Sequence, residues 1–237
     1  MRIDKIACNN CGLCILYCPV DAIAQCDGIV IIDEDECTEC RACVRANVCR
    51  KSALYQPPLT EPRIWRALFS DTLTSFPDTD VAGRGTDEAK TNDVTGRFRR
   101  GQVGFGVELG RPGVGSRFRD VEKVAMALAP LGVEFEPLNP ATGLIIDKKT
   151  GKMRDDILNE KVISAIIEFK VPQKRVPEVM KALESVAQEI DTVFSLDIIQ
   201  RAEPDGRLPM IDEFKRLGYF PSENGKVCIG IGRPRAC

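Results

Sequence analysis

The most constraining feature of the sequence is a pair of cysteine runs that hold eight of its eleven cysteines at fixed spacing. The first run reads C-x2-C-x2-C-x3-C and is followed at once by Pro19. The second run repeats the first two steps, but its last cysteine comes six residues later instead of four. The members are Cys8, Cys11, Cys14 and Cys18, then Cys37, Cys40, Cys43 and Cys49. A thiolate at every third residue lets a tight loop wrap one iron–sulfur cube and bind three of its irons, so the fourth ligand must come from elsewhere. Two interlocked clusters are the expected result.

This stretch resembles the bacterial two-cluster ferredoxins, and an internal repeat carries the resemblance. Aligning Cys18 with Cys49 places Ala22 on Ala53 and Ile23 on Leu54, and Asp27-Gly28 before Ile29–Ile32 is similar to the hairpin turn and strand of that fold. The resemblance implies one 4Fe–4S cluster on Cys8, Cys11, Cys14 and Cys49, and a second on Cys37, Cys40, Cys43 and Cys18. The chain departs from the family pattern in two places, since Arg50 replaces the usual proline and the Cys43–Cys49 interval is two residues wider.

A disulfide scaffold and a zinc site are the alternatives for these cysteines. Disulfides need an oxidising compartment, and the sequence opens without an apolar signal segment. Zinc sites usually pair two C-x2-C steps, often with histidine, whereas each run here has a third cysteine step and the chain has no histidine. The spacing therefore favours two 4Fe–4S clusters. Cys26 lies outside either run and is predicted to be a small packed side chain, and neither Cys228 nor Cys237 is predicted as a ligand.

Composition limits the remaining function classes. The 33 basic and 35 acidic side chains nearly balance, which argues against a nucleic-acid partner. The longest apolar run, around Val162–Phe169, is too short to span a membrane. Without histidine the chain lacks the usual proton shuttle near neutral pH, so we expect a non-catalytic electron-transfer protein rather than a conventional hydrolase. Thiolate-rich clusters fit a reducing cytoplasm.

Charged residues crowd the entrance to the second run. We call five of them the acidic collar: Asp33, Glu34, Asp35, Glu36 and Glu39. Beside a cluster, such a collar would steer the basic face of a partner protein and lower the cluster potential. A solvated turn is the alternative. Four cations that follow, Arg41, Arg45, Arg50 and Lys51, are interpreted as the other edge of a docking surface.

The sequence divides into four predicted regions, and the predicted fold class is α+β. They are the two-cluster domain at 1–56, an irregular connector at 57–100, an α/β sandwich at 101–202 and a C-terminal extension at 203–237. Prolines at 57, 58 and 62 interrupt regular structure in the connector, where Trp65 and Phe69 are predicted to cover the cluster domain. The extension is predicted to hold a short helix at Pro209–Leu217 and a strand at Lys226–Gly230.

The third region shows alternating strand and helix patterns in the order βαββαβ. This order predicts an antiparallel sheet backed by two helices, the split βαβ or ferredoxin-like topology. The predicted strands are Gln102–Leu109, Val133–Pro137, Val162–Val171 and Val193–Arg201, and the helices are Phe118–Leu131 and Val176–Ile190, with an insertion at 139–159.

Residues 83–119 hold seven arginines and nine glycines, a composition that suits close approach of the backbone to an anion. The turn Gly110-Arg111-Pro112-Gly113-Val114 resembles the strand-to-helix turn of ACT-type regulatory domains. That resemblance implies a small amino-acid-like or anionic effector, often bound across a homodimer. The candidate site residues are Arg111, Gly113, Ser116 and Arg117. The alternatives are a structural turn in which Ser116 caps the helix, and a basic loop that pairs with acidic patches.

Together these features predict the iron–sulfur subunit of a larger oxidoreductase complex, with a flavoprotein or metalloenzyme subunit as redox partner. The extra domain favours a subunit over a free carrier, which needs only the cysteine region. The alternative is a redox-linked regulatory module whose ACT-like domain senses an effector. An enzyme acting at the Arg/Gly-rich segment is a weaker third hypothesis, because flavin, nicotinamide and radical signatures are not recognised in the sequence.

Overall fold

The N-terminal module is built from two short antiparallel strand pairs around the cysteine loops. The computed structural model describes residues 1–77, 80, 97–111, 113–220 and 222. Strand β1 (Arg2–Ile3) pairs with β4 (Leu54–Tyr55), and β2 (Ile23–Cys26) pairs with β3 (Ile29–Ile32); one short helix, α1 (Ala42–Arg45), lies between β3 and β4. Asp27 and Gly28 form the two-residue turn between β2 and β3, both with positive φ, which is the favoured hairpin geometry. The predicted hairpin is confirmed.

A four-stranded antiparallel sheet forms the centre of the C-terminal domain. Its strands are β5 (Gln102–Leu109), β7 (Glu134–Phe135), β11 (Ala165–Pro172) and β12 (Phe194–Ile199), in the spatial order β12-β5-β11-β7. Two helices, α3 (Phe118–Leu128) and α5 (Val176–Ala187), bury their apolar stripes on the sheet. The mixed helix and strand content fits the α+β class.

Most element boundaries in this domain differ from the predicted ones by a few residues. A single 3₁₀ turn extends α3 to Leu131, and Gly132 ends it with φ of 64°, the left-handed conformation expected of a helix-ending glycine. Strand β11 begins only at Ala165, because β10 (Lys161–Val162) pairs instead with β6 (Ser116–Arg117), a short strand just before α3.

The 139–159 insertion packs beside α3. It contains α4 (Pro140–Gly143), β8 (Ile145–Asp147) and β9 (Lys152–Met153). Asn139 caps α4 by accepting hydrogen bonds from two backbone N–H groups. A side chain at Gly151 would lie 2.4 Å from the α3 backbone at Ala125, so glycine permits this close approach.

The segment predicted as an irregular connector begins with a helix that is part of the C-terminal core. Helix α2 (Ile64–Ser70) buries Leu68 and Phe69 in that core, and the Phe69 ring meets the edge of Phe118 at a centroid distance of 5.1 Å. Trp65 packs toward Phe76 in the same core. The prediction that Trp65 and Phe69 cover the cluster domain is therefore wrong.

The C-terminal extension contains α6 (Pro209–Arg216), which matches the predicted helix. The predicted strand at Lys226–Gly230, Cys228 and Cys237 lie outside the described residues, as does most of the Arg/Gly-rich segment before Arg97. Within the described ranges, no helix has both the length and the apolar character needed to cross a membrane.

Candidate iron–sulfur sites

The cysteines fall into two interleaved neighbourhoods. Burial raises the pKa of the Cys14 thiol, and the nearby charges of Cys49, Cys8 and Cys11 raise it further. Cys49, the last cysteine of the second run, therefore lies beside the first. We call Cys8, Cys11, Cys14 and Cys49 the first set.

The second neighbourhood contains the last cysteine of the first run. Burial raises the pKa of Cys43 to about 12, with further contributions from Cys40, Cys37, Cys18 and Cys14. Burial likewise raises the pKa of Cys40, next to Cys37 and Cys18. We call Cys18, Cys37, Cys40 and Cys43 the second set. Because thiolates are the metal-binding form, a cluster at these buried thiols must displace their protons.

The four cysteines of the second set line a common cleft. Tyr17, Val20, Ala22, Ile23 and Ile32 form much of its apolar wall. Four thiols that surround an apolar cleft suit a 4Fe–4S cluster, whose potential depends on burial and on hydrogen bonds to sulfur. The residues present therefore fit this cofactor.

Two backbone hydrogen bonds to sulfur repeat between the halves of the module. The Ala22 N–H donates to Cys18 Sγ at 3.1 Å, and the Ala53 N–H donates to Cys49 Sγ at 3.3 Å. Both donors are four residues after their cysteine and both alanines are buried. The wider Cys43–Cys49 interval is accommodated by α1 and by Asn47, whose φ is 52°. The extra residues therefore leave the local bonding of Cys49 like that of Cys18.

The nine cysteines of the described part of the chain are free thiols. Cys26 is exposed at the end of β2, so the prediction of a packed side chain there is wrong. Across the same residues, no three Cys, Asp or Glu side chains gather tightly enough to share one metal ion. A 4Fe–4S cluster makes a different demand, since each thiolate binds its own iron of the cube.

The acidic collar is occupied by cations of the same chain. Arg66 of α2 is only 3% exposed and donates from Nη1 to the backbone oxygens of Glu34 at 3.1 Å, Asp35 at 2.6 Å and Cys37 at 2.9 Å. Its Nε bonds Glu160, which lies just before β10. One buried guanidinium thus joins the loop that enters the second cysteine run to the C-terminal domain.

Two further cations reach the collar from β6 and β10. Arg117 Nη2 lies 2.8 Å from Asp35 and 2.6 Å from Glu36, and Lys161 pairs with Glu36. The hydrogen bond from Arg117 holds the pKa of Asp35 below its usual range, and the bond from Lys161 does the same for Glu36.

Glu39 lies at the buried end of the collar. Burial alone would raise its pKa, but hydrogen bonds from Gln56, the N-terminal amine and Arg63 outweigh burial and lower it. The Arg63 Nε bond is 2.8 Å long. The prediction that the collar steers a basic partner protein is therefore corrected: in the described structure its basic partners come largely from the same chain.

Arg45, predicted at the opposite edge, pairs with the buried Asp71.

The predicted anion-site residues have partners or roles within the protein. Arg111 Nη1 lies 2.9 Å from a carboxylate oxygen of Glu108, and Arg117 binds the collar. Ser116 donates to the Arg117 backbone oxygen at 3.2 Å, and Arg117 itself is the N-cap of α3, so the prediction of a Ser116 cap is wrong. Gly113 has positive φ and open space around its Cα. The neighbouring Gly115 lies against the N-terminal module, where an added Cβ would be 3.4 Å from Val20.

Sequence reasoning missed Arg66, Arg63 and Lys161, none of which belongs to a motif. Arg66 is the one charged residue within the apolar helix sequence Ile64–Phe69. A lone arginine on such a helix is the signal that would have pointed to a buried acidic or carbonyl partner.

Comparisons with known proteins agree with the cysteine geometry. A family model described as "4Fe-4S binding domain" matches residues 1–24. "Ferredoxin Fdx2" of Sorangium cellulosum is 32% identical over 96 residues, which cover 39% of this chain and 92% of that protein. The chain belongs to the ferredoxin family. Its relatives support electron transfer through 4Fe–4S chemistry.

Two further relatives share a shorter stretch. "Ferredoxin-1" of Rhodobacter capsulatus is 48% identical over 40 residues, 17% of this chain and 62% of that protein. "Pyruvate synthase subunit PorD" of Thermotoga maritima is 43% identical over 60 residues, 25% of this chain and 59% of that protein. The chain thus spans about three fifths of each of these two relatives. No solved structure matches the chain.

Proposed function

We propose that this ferredoxin-family chain carries electrons through two 4Fe–4S clusters as the iron–sulfur subunit of a larger oxidoreductase complex. The first set holds one cluster and the second set holds the other. The observation that carries the proposal is that Cys18 of the first run lines one cleft together with Cys37, Cys40 and Cys43 of the second run. When bound, each cluster accepts and releases one electron. The thiolates hold it in place, while burial and the N–H bonds of Ala22 and Ala53 set its potential.

The C-terminal domain supports the role of a subunit. A simple carrier needs only the module that holds the cysteines, yet this chain adds a sheet domain and fixes it to the collar through Arg66. PorD, one of the relatives, is named as a subunit of pyruvate synthase. The proposed partner is a flavoprotein or metalloenzyme subunit in a reducing cytoplasm.

Single cysteine variants test both the cluster count and the interleaving. The wild type should bind about eight irons, and Cys18→Ser and Cys49→Ser should each keep about four. The electron paramagnetic resonance signal left in Cys18→Ser should match that left in Cys43→Ser, since both lose the second cluster. The signal of Cys49→Ser should match that of Cys11→Ser. Cys26→Ser, the exposed control, should keep all eight irons.

If instead the signal of Cys18→Ser matched that of Cys11→Ser, and the signal of Cys49→Ser matched that of Cys43→Ser, each run would hold its own cluster. A wild-type iron content near four would contradict the two-cluster proposal. Affinity purification from native cells tests the subunit role, with a flavoprotein or metalloenzyme expected in stoichiometric amount. A monomer recovered alone would contradict that role.

A second candidate is a redox-linked regulatory module, and it rests on the C-terminal domain. The strand order β12-β5-β11-β7 and the packing of two helices on the sheet support a βαββαβ, ACT-like domain as the proposed arrangement. A cleft of about 270 Å³ lies beside β7 and β11, bordered by Arg97, Glu134, Glu168 and Lys170. We assign a small amino-acid-like or anionic effector to this domain, at the cleft or at the turn of Arg111, Gly113, Ser116 and Arg117.

The regulatory candidate predicts ligand-dependent stability. Saturating amino acids or acetyl phosphate should raise the melting temperature of the cluster-loaded protein. Light scattering should then show whether the effector binds a homodimer. A melting temperature unchanged by the whole panel would contradict the effector.

A further inference from the structure

The first set is the less buried of the two sets. Cys11 is exposed, whereas Cys37 and Cys43 of the second set are buried. Three apolar side chains next to first-set cysteines in the sequence are also exposed: Ile6 by 99%, Leu16 by 84% and Leu13 by 46%. Exposed apolar side chains close in sequence to a functional centre are the kind of residue that a docking surface uses.

Three cations lie close to first-set cysteines in the sequence. Lys5 precedes Cys8 by three residues, and Arg50 and Lys51 directly follow Cys49. The Asp4 N–H donates to the Ala53 backbone oxygen at 2.8 Å, which brings the two segments side by side. All three cations are exposed, and none forms an ion pair with any residue the structure describes. Asp4 is the one acid in these segments, and its carboxylate already accepts the N–H groups of Ile6 and Ala7.

The C-terminal domain covers the loop that enters the second cysteine run. Arg66, Arg117 and Lys161 neutralise the acidic collar at the entrance to the second run, and Gly115 packs beside Val20 near Cys18. A partner that docked there would have to displace the C-terminal domain. Because electron transfer weakens steeply with distance, the uncovered first set offers the shorter route.

We propose that the redox partner docks on one surface of the N-terminal module, which we call the open end and which is formed by Ile6, Leu13, Leu16, Lys5, Arg50 and Lys51. The partner is an electron-transfer protein with an acidic rim around an apolar centre, since opposite charges guide docking and apolar contact holds the complex. This inference rests on the proposed function and adds the charge of the partner and the end at which electrons pass.

Flavodoxin, an acidic flavoprotein, and cytochrome c, a basic haem protein, are suitable defined probes. The reduced first cluster gives one electron to the oxidised flavin, which takes up one proton from solvent as it becomes the neutral semiquinone, or to the ferric haem, which becomes ferrous. Stopped-flow oxidation of the reduced holoprotein by flavodoxin should be fast and should slow as salt is added.

The triple variant Lys5→Gln, Arg50→Gln, Lys51→Gln should slow the flavodoxin reaction about tenfold and flatten its salt dependence. Its reaction with cytochrome c should not slow. The matched control Lys148→Gln, Lys149→Gln, Lys181→Gln removes three exposed cations of the C-terminal domain that likewise have no ion pair with a described residue, and it should leave both rates unchanged. Leu16→Ser should slow flavodoxin while keeping the salt dependence, because it removes apolar contact only.

Iron content and the resonance signals of both clusters separate the possible failures. If the triple variant keeps about eight irons and both signals but reacts with flavodoxin at the wild-type rate, the docking surface is overturned and the proposed function stands. Equal slowing by the control triple would also overturn the assigned surface. A wild type without a reducible cluster overturns the proposed function and this inference with it.

Discussion

The two cysteine sets share a backbone pattern but differ in what covers them. Each contains a cysteine whose sulfur accepts the N–H group four residues later, from Ala22 in one half and Ala53 in the other. The first set is exposed at Cys11, whereas Cys37 and Cys43 of the second set are buried, and the Cys37 backbone oxygen accepts a hydrogen bond from Arg66. A repeat can thus place two similar metal sites in different surroundings, since burial and nearby charge set cluster potentials.

Among the changes that would test this difference in covering, Arg66→Ala should have the largest effect. This change leaves Glu160 and three backbone oxygens without their buried donor, and breaking a buried ion pair typically costs about 3–5 kcal/mol. We expect the melting temperature to fall by about 10 °C, with iron lost preferentially from the second set. Arg216→Ala, which breaks an exposed pair with Glu213, should change stability by less than about 0.5 kcal/mol. Equal melting of the two variants would contradict the role of Arg66.

A smaller effect is expected from the loop that lies against Val20. Gly115 and Gly113 both have positive φ, so alanine at either site strains the backbone by about 1–2 kcal/mol. At Gly115 the new Cβ would also lie 3.0 Å from the Val162 backbone oxygen, while Gly113 has open space. Gly115→Ala should therefore cost more in urea unfolding than Gly113→Ala. An equal loss of unfolding free energy in the two variants would show that the loop around Gly115 moves to make room for the new side chain.

The collar contacts should control access to the second cluster. With an iron chelator, the wild type should lose iron in a fast phase from the first set and a slow phase from the second. The double variant Arg117→Gln, Lys161→Gln should accelerate the slow phase about fivefold, since each partly exposed ion pair contributes up to about 1 kcal/mol. The fast phase should not change. Acceleration of both phases would indicate general loosening of the module.

The smallest effect is expected from Asn10, which lies between Cys8 and Cys11 of the first set. Asn10 Oδ1 accepts the Val30 N–H at 3.0 Å, and its φ of 57° suits glycine. Asn10→Gly removes a partly buried hydrogen bond, about 1 kcal/mol, but glycine relieves the strain of the positive φ, so the fast phase of iron loss should quicken only about twofold while the slow phase stays constant. The neighbouring exposed Asn9→Gly is the control. A change in the slow phase would show that the two sites are coupled.

Local patterns predicted much of the molecule, because they depend on near neighbours in the chain. The Asp27-Gly28 turn, the β5 strand and the glycine that ends α3 all follow from the conformational preferences of a few consecutive residues. The two ligand sets stay a prediction that the resemblance to two-cluster ferredoxins implies, since the spacing within one run supplies only three of the four ligands.

Contacts between distant segments could not be read from the sequence. Arg66 and Glu160 are 94 residues apart, and nothing in either local pattern specifies the partner. The sequence of the collar favours a surface for another protein, because a run of five acidic residues has the same sequence pattern whether it faces solvent or a buried arginine. Short strand pairs cannot be read from the sequence either. Lys161–Val162 pairs with Ser116–Arg117, so β11 begins at Ala165 and not at the predicted Val162.

The contact between Arg66 and the collar is formed within one polypeptide, so its stability does not depend on protein concentration. A charged contact of this size between separate proteins would dissociate at low concentration and high salt. A short tether raises the effective local concentration of one surface near the other to about the millimolar range. The cover over the second cysteine set therefore stays in place at any abundance of the protein, while binding at the open end still depends on how much partner is present.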